Sequence, residues 1–134
     1  MKYFSSINST IYSSKINFVD ENNVLVGYDF FGNCCEVFGW YIHHQVSLDR
    51  NGNLFDETST NDSINEYLKG WVFDINFFQE INSEASYDDN NTAIFRLING
   101  DQELFLHLYN IHNGYYSHGF EFAKDGEMIQ HGSL

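Results

Sequence analysis

LYNIHNGYYSHGFEF, residues 108–122, holds a single Asn-Gly pair, Asn113-Gly114, between two runs rich in aromatic and branched residues. Asn-Gly accepts the positive φ angles of a type I′ turn, whose twist matches antiparallel strands. Read as a hairpin, the segment places His112 opposite Tyr115, Ile111 opposite Tyr116, Tyr109 opposite His118 and His107 opposite Phe120. Alternation then gathers Phe105, His107, Tyr109, Ile111, Tyr116, His118, Phe120 and Phe122 on one face, with Leu104, Leu106 and Leu108 on the other. Both faces are expected to be at least partly buried.

Working outward, Asn99-Gly100 and Asp125-Gly126 repeat the turn signal, so TAIFRLI, ELFLHLYNI, YYSHGFEFA and EMIQHGS read as a four-stranded meander. The first half follows the same pattern with KINFV, the polar break Asp20–Asn23, VLVGYDF, the Gly32-Asn33 break and CEVFGWYI. Asn51-Gly52 marks a further hairpin between HQVSL and NLFDE, and WVFDINFF reads as a strand. Between that strand and the meander, QEINSEASYDDNN reads as a solvated acidic loop. One short helix is expected near residues 63–69, with Ser63 and Glu66 at capping-box spacing, an apolar stripe of Ile64, Tyr67 and Leu68, and Gly70 as the stop. The chain contains no proline, so no strand edge is blunted that way. The expected architecture over 1–134 is a single, mainly β domain: one antiparallel twisted sheet or open barrel ending in the meander.

With 134 residues, 43% of them apolar and 18% aromatic, the chain can offset its conformational entropy with one core. The N-terminal stretch MKYFSSINSTIYSSK lacks the apolar run of a signal peptide and no apolar run reaches membrane-spanning length, so a cytoplasmic protein is expected. Cys34 and Cys35 are adjacent, which disfavours a mutual disulfide, and they read as buried free thiols.

Charge narrows function further. Nineteen acidic against six basic side chains give a formal charge of −13, a field that repels nucleic acid and anionic membrane and attracts basic partners. Plain solubility accounts for such a surface as well. Two histidines on one hairpin face, His107 and His118, offer an acid–base pair or two metal ligands, with Tyr109 or Tyr116 beside them. No carboxylate or thiol shares that face, so packing among aromatics competes with chemistry. His43 and His44 point to opposite faces of a strand, and DRNGNLFDE has its glycine fourth rather than sixth, which favours a hairpin turn over an EF-hand. No nucleotide-binding, nucleophile-elbow or zincin motif occurs, and neither a cofactor nor a metal is expected.

The segments CCEVFGWYI (34–42) and YNIHNGYYSHGF (109–120) together resemble a group of small bacterial and phage-associated proteins. In overall character the chain also resembles the immunity proteins of contact-dependent growth inhibition and related polymorphic toxin systems. Those are small, often acidic cytosolic domains that cover the active site of a toxin, commonly a nuclease. The resemblance implies a non-enzymatic protein whose partner is a basic toxin domain. Its acidic rim would be drawn from Asp49, Asp56, Glu57, Asp62, Glu80, Glu84, Asp88 and Asp89, with Tyr87 or Tyr115 as aromatic anchors. Trp40, Tyr41 and Trp71 are further anchor candidates, although Trp40 and Trp71 sit in apolar strands and read as core. Two alternatives stay open: a small histidine-dependent enzyme or metal protein, and an acidic mimic of nucleic acid. Monomer and homodimer are equally compatible with the sequence.

Overall fold

The structure is a computed structural model that describes residues 1–8, 13–30, 37–83, 89–112 and 117–134. In chain order the elements are β1 (Lys2–Asn8), β2 (Ser13–Val19), β3 (Val24–Asp29), β4 (Val37–His43), β5 (Phe55–Asp56), α1 (Asn61–Tyr67), β6 (Val72–Ser83), β7 (Asp89–Asn99), β8 (Gln102–His112), β9 (Gly119–Lys124) and β10 (Glu127–Ser133). The chain is mainly antiparallel β with one short helix, as its turn chemistry predicts. The strands form two five-stranded sheets, ordered β1-β2-β3-β9-β10 and β5-β4-β8-β7-β6, and neither closes into a barrel.

The expected four-stranded meander is therefore split. β7 and β8 pair across the Asn99-Gly100 turn, and β9 and β10 pair across Asp125-Gly126, where Asp125 and Gly126 both take the positive φ of a type I′ turn. β8 and β9 do not pair: β8 is flanked by β4 and β7, whereas β9 is flanked by β3 and β10. Each strand has two ladder sides, and those of both strands are taken. The Asn113-Gly114 turn itself lies outside the described residues.

The sheets stack face to face around one core. Phe18, Val26, Tyr28, Phe120 and Phe122 from the first sheet meet Trp40, Ile42, Phe95, Leu97, Leu104, Leu106 and Leu108 from the second. Aromatic edges knit the layers: Phe95 meets Phe122 at 5.2 Å and Phe73 meets Phe122 at 6.0 Å between centroids. Asp20 joins the layers by hydrogen bonding. Its buried carboxylate accepts from Asn22 and Val24 in its own turn and from Phe73 N, 2.8 Å away, in the other sheet.

Other expectations are corrected by the pairing. The helix begins two residues early because Thr60, not Ser63, is its N-cap and accepts from Ser63 N. HQVSL forms no strand; NLFDE contributes β5, which pairs with β4 instead. Gln79–Ser83 and Asp89–Asn91, read as loop, extend β6 and β7, since ladder bonds between backbones do not require apolar side chains on an exposed edge. The N-terminal stretch forms β1, whose Tyr3 is buried against Phe18 and Trp40.

Candidate functional site: a buried histidine layer under an acidic surface

The alternation of β8 sends Leu104, Leu106 and Leu108 into the core and Phe105, His107 and Tyr109 to the outer face of the second sheet. That outer face is nonetheless covered, because the segment 44–59 folds back over it. Tyr41 Oη donates to Ser47 O (2.7 Å), His43 Nε2 meets Asn51 O (3.3 Å), and the Arg50 guanidinium lies 4.7 Å from the Tyr109 ring centroid. Arg50 Nη1 donates to Tyr109 Oη at 2.6 Å, and that hydroxyl donates in turn to Glu57 Oε1 at 3.3 Å. Gly39 makes room for the arrangement: a Cβ there would stand 2.8 Å from Tyr109 Oη and 3.0 Å from the Glu57 carboxylate.

His107 sits at the centre of this layer with no solvent exposure. Its ring stacks on Tyr41, 4.4 Å between centroids and 7° from parallel. Nδ1 lies 3.2 Å from the Phe105 carbonyl, which can only accept, so Nδ1 carries the proton and Nε2 presents a lone pair that finds no donor. Burial pushes its pKa down to about 4, the carbonyl opposing and His43 reinforcing that shift. Burial also pushes the Tyr41 hydroxyl up to about 12, with Arg50 opposing, and raises Tyr109, with Glu57 adding to the effect. At neutral pH the layer therefore holds a neutral imidazole stacked on the protonated phenol of Tyr41, with the protonated phenol of Tyr109 against Tyr41.

His118 is elsewhere. It is buried in the first sheet's half of the molecule, stacked on Phe38 at 4.0 Å, with Nδ1 2.9 Å from Asp29 O. The common face expected for His107 and His118 does not form, because it required β8 and β9 to pair. Among the described residues, no group of three His, Cys, Asp or Glu side chains could hold a metal ion.

The expected rim residues fall into distinct settings. Asp49, Glu57, Asp62 and Glu80 are exposed. Asp49 lies in the segment that covers the histidine layer, where its Oδ1 accepts from Asn51 N; Asp62 lies in the first turn of α1; Glu80 lies on the edge strand β6. Asp56 is used internally: it accepts from Thr58 and Asn53, and the Thr58 hydroxyl bond in particular holds its pKa below the usual carboxylate range. Glu84, Tyr87, Asp88 and Tyr115 lie outside the described residues, as do Cys34 and Cys35, and Asp89 opens β7. Trp40 and Trp71 are core, as their strands predict, and Tyr41 is buried beneath Ser47 rather than offered as an anchor.

Sequence reasoning missed a further acidic region. Val19 pairs with Lys2 and Val24 with Lys124, while Asn99 pairs with Gln102, so these turns and α1 share one end of the sandwich, linked by the Asp20–Phe73 bond. Glu21, Glu66, Asp101, Glu103 and Asp125 are exposed there. Spread over four segments of sequence, they give no local signal. Comparison with protein families, with curated proteins and with solved structures returns no match. Among the described residues, no helix is long and apolar enough to cross a membrane.

Proposed function

We propose that the chain is an immunity-type binding protein that acts in the cytoplasm, neutralising a cationic toxin domain of the nuclease class by occluding its active site. The observation that carries this reading is the disposition of charge. Of six basic side chains, Lys15 is paired with Glu121, Lys69 with Glu66 and Arg96 with Asp74, and Arg50 is committed to Tyr109. The exposed acids Glu21, Asp49, Asp62, Glu80, Asp101 and Glu127 have no ion-pair partner among the described residues. A surface left this negative competes for the cationic groups that hold phosphates in a nuclease cleft and speeds encounter with their bearer. The buried histidine layer packs beneath one part of that surface, and a preformed face lowers the ordering cost of binding.

The test is capture of partners from a lysate of the source organism at about 0.05 M and about 0.5 M salt, since screening shortens from roughly 14 Å to roughly 4 Å across that range. A basic protein recovered in equimolar amount at low salt, and inhibited on equimolar addition of this chain, is expected. A partner whose binding ignores salt, or whose activity survives saturation, would defeat the reading.

A further inference from the structure

At the acidic end of the sandwich, a pocket of about 270 Å³ is lined by His44, Tyr67, Trp71, Gln102 and Glu103. We propose that this pocket receives a guanidinium group, the arginine side chain of a basic partner; the inference rests on the function proposed above and names the chemistry of one contact within it.

Size comes first. The pocket falls just short of the roughly 300–1,000 Å³ of small-molecule sites, a volume suited to one long side chain rather than to a folded segment. Its walls then select the side chain. Trp71 is buried at 5% exposure and held by the core, whereas Tyr67, at the end of α1, is 46% exposed and edge-on to Phe55 at 5.3 Å. Tyr67 thus offers an exposed, electron-rich ring on which a planar cation stacks, and Trp71 an apolar wall. Glu103 supplies the counter-charge and Gln102 a polar amide on the lining, and the ring surface favours a planar guanidinium over the point charge of ammonium.

The local cations leave this role partly open. Lys69 is 2.8 Å from Glu66, and Arg96 binds Asp74, lies over Phe77 and makes only a long ion pair with Glu103, 3.7 Å from Nη1 to Oε2, so that the Glu103 side chain stays 53% exposed. His44 and Gln102 line the pocket and are both exposed, so both are available to a guest. Anions are disfavoured by Glu103 and by the neighbouring Glu66 and Asp101, and the same charges disfavour a second copy of this acidic chain.

The experiment is titration of the isotopically labelled protein, at fixed ionic strength, with N-acetyl-arginine amide, N-acetyl-lysine amide and N-acetyl-tyrosine amide. Expected are saturable amide and indole shifts at Trp71, Gln102 and Glu103, strongest for the arginine probe. Glu103→Gln is expected to weaken that binding about tenfold, the loss of one charge-assisted contact. Tyr67→Ala, at a half-exposed position that leaves the core intact, is expected to weaken it about threefold. Shifts that do not saturate, that survive Glu103→Gln, or that are matched by the lysine or tyrosine probe overturn the proposal. Captured partner that binds Glu103→Gln and wild type equally also overturns it while leaving the acidic-surface reading in place. Absence of any captured partner defeats that reading, whereas the arginine titration still decides the pocket.

Discussion

Replacing His107 by phenylalanine separates two contributions of the buried layer, shape and protonation. The ring stacks flat on Tyr41 and is sealed from solvent, so phenylalanine retains the stack and forfeits only the Nδ1 bond to the Phe105 carbonyl. At pH 7 that loss should cost about 1 kcal/mol, offset in part by removal of the unpartnered Nε2 lone pair. The larger effect is on pH dependence. A group held near 4 in the folded chain, against 6.5 when unfolded, makes the unfolded state the better proton acceptor between those values. Its stabilising contribution is full above pH 6.5 and falls as pH drops. The deficit is about 2 kcal/mol at pH 5 and about 3 kcal/mol at pH 4. At roughly 2.1 cal/mol/K per residue over 134 residues, the latter lowers Tm by about 10 °C. Urea unfolding followed by tryptophan fluorescence at pH 7, 6, 5 and 4 measures this directly. His107→Phe should abolish most of the wild-type slope above pH 4; Asp56 and Asp74, whose pKa values are held down, withdraw their stabilisation only as pH falls below the ordinary carboxylate range. An identical slope in both proteins would show that His107 accepts a proton without penalty and that the layer is not sealed.

Asp20→Ala removes the acceptor of three backbone N–H groups, one of them in the opposite sheet, and should destabilise by about 3 kcal/mol or more in chemical denaturation. Phe95→Ala, at the meeting point of Phe78, Phe120 and Phe122, should cost about 3–5 kcal/mol, whereas Ile7→Ala, at a position 79% exposed, should cost less than about 0.5 kcal/mol. Reversal of Asp49 and Asp62 to lysine should leave Tm within a few degrees and slow association with a basic partner about tenfold at low salt, by stopped-flow fluorescence; unchanged rates would remove these acids from the encounter surface.

Several elements were legible in the sequence because their causes are local. Asp125-Gly126 needs two consecutive positive φ angles, and the hairpin it predicts is the one that forms. Trp40 and Trp71, flanked by apolar residues, are core. The acidic rim was only partly legible. Composition announces the charge, but Asp56 is spent on Thr58 and Asn53, and the acidic end is assembled from turns remote in sequence.

Alternation, turn residues and composition act within a few residues of one another, so an antiparallel β protein with one short helix, a large aromatic core and a strongly negative surface could be read along the chain. Which strands pair was decided only by the tertiary structure. Asn113-Gly114 invites β8 and β9 into one hairpin, yet β8 has two apolar faces and two ladder sides, and β4 and β7 occupy both sides while the first sheet covers the inner face. That global competition for hydrogen-bond partners carries His107 and His118 to different parts of the molecule, where each packs against its own aromatic partner, Tyr41 and Phe38.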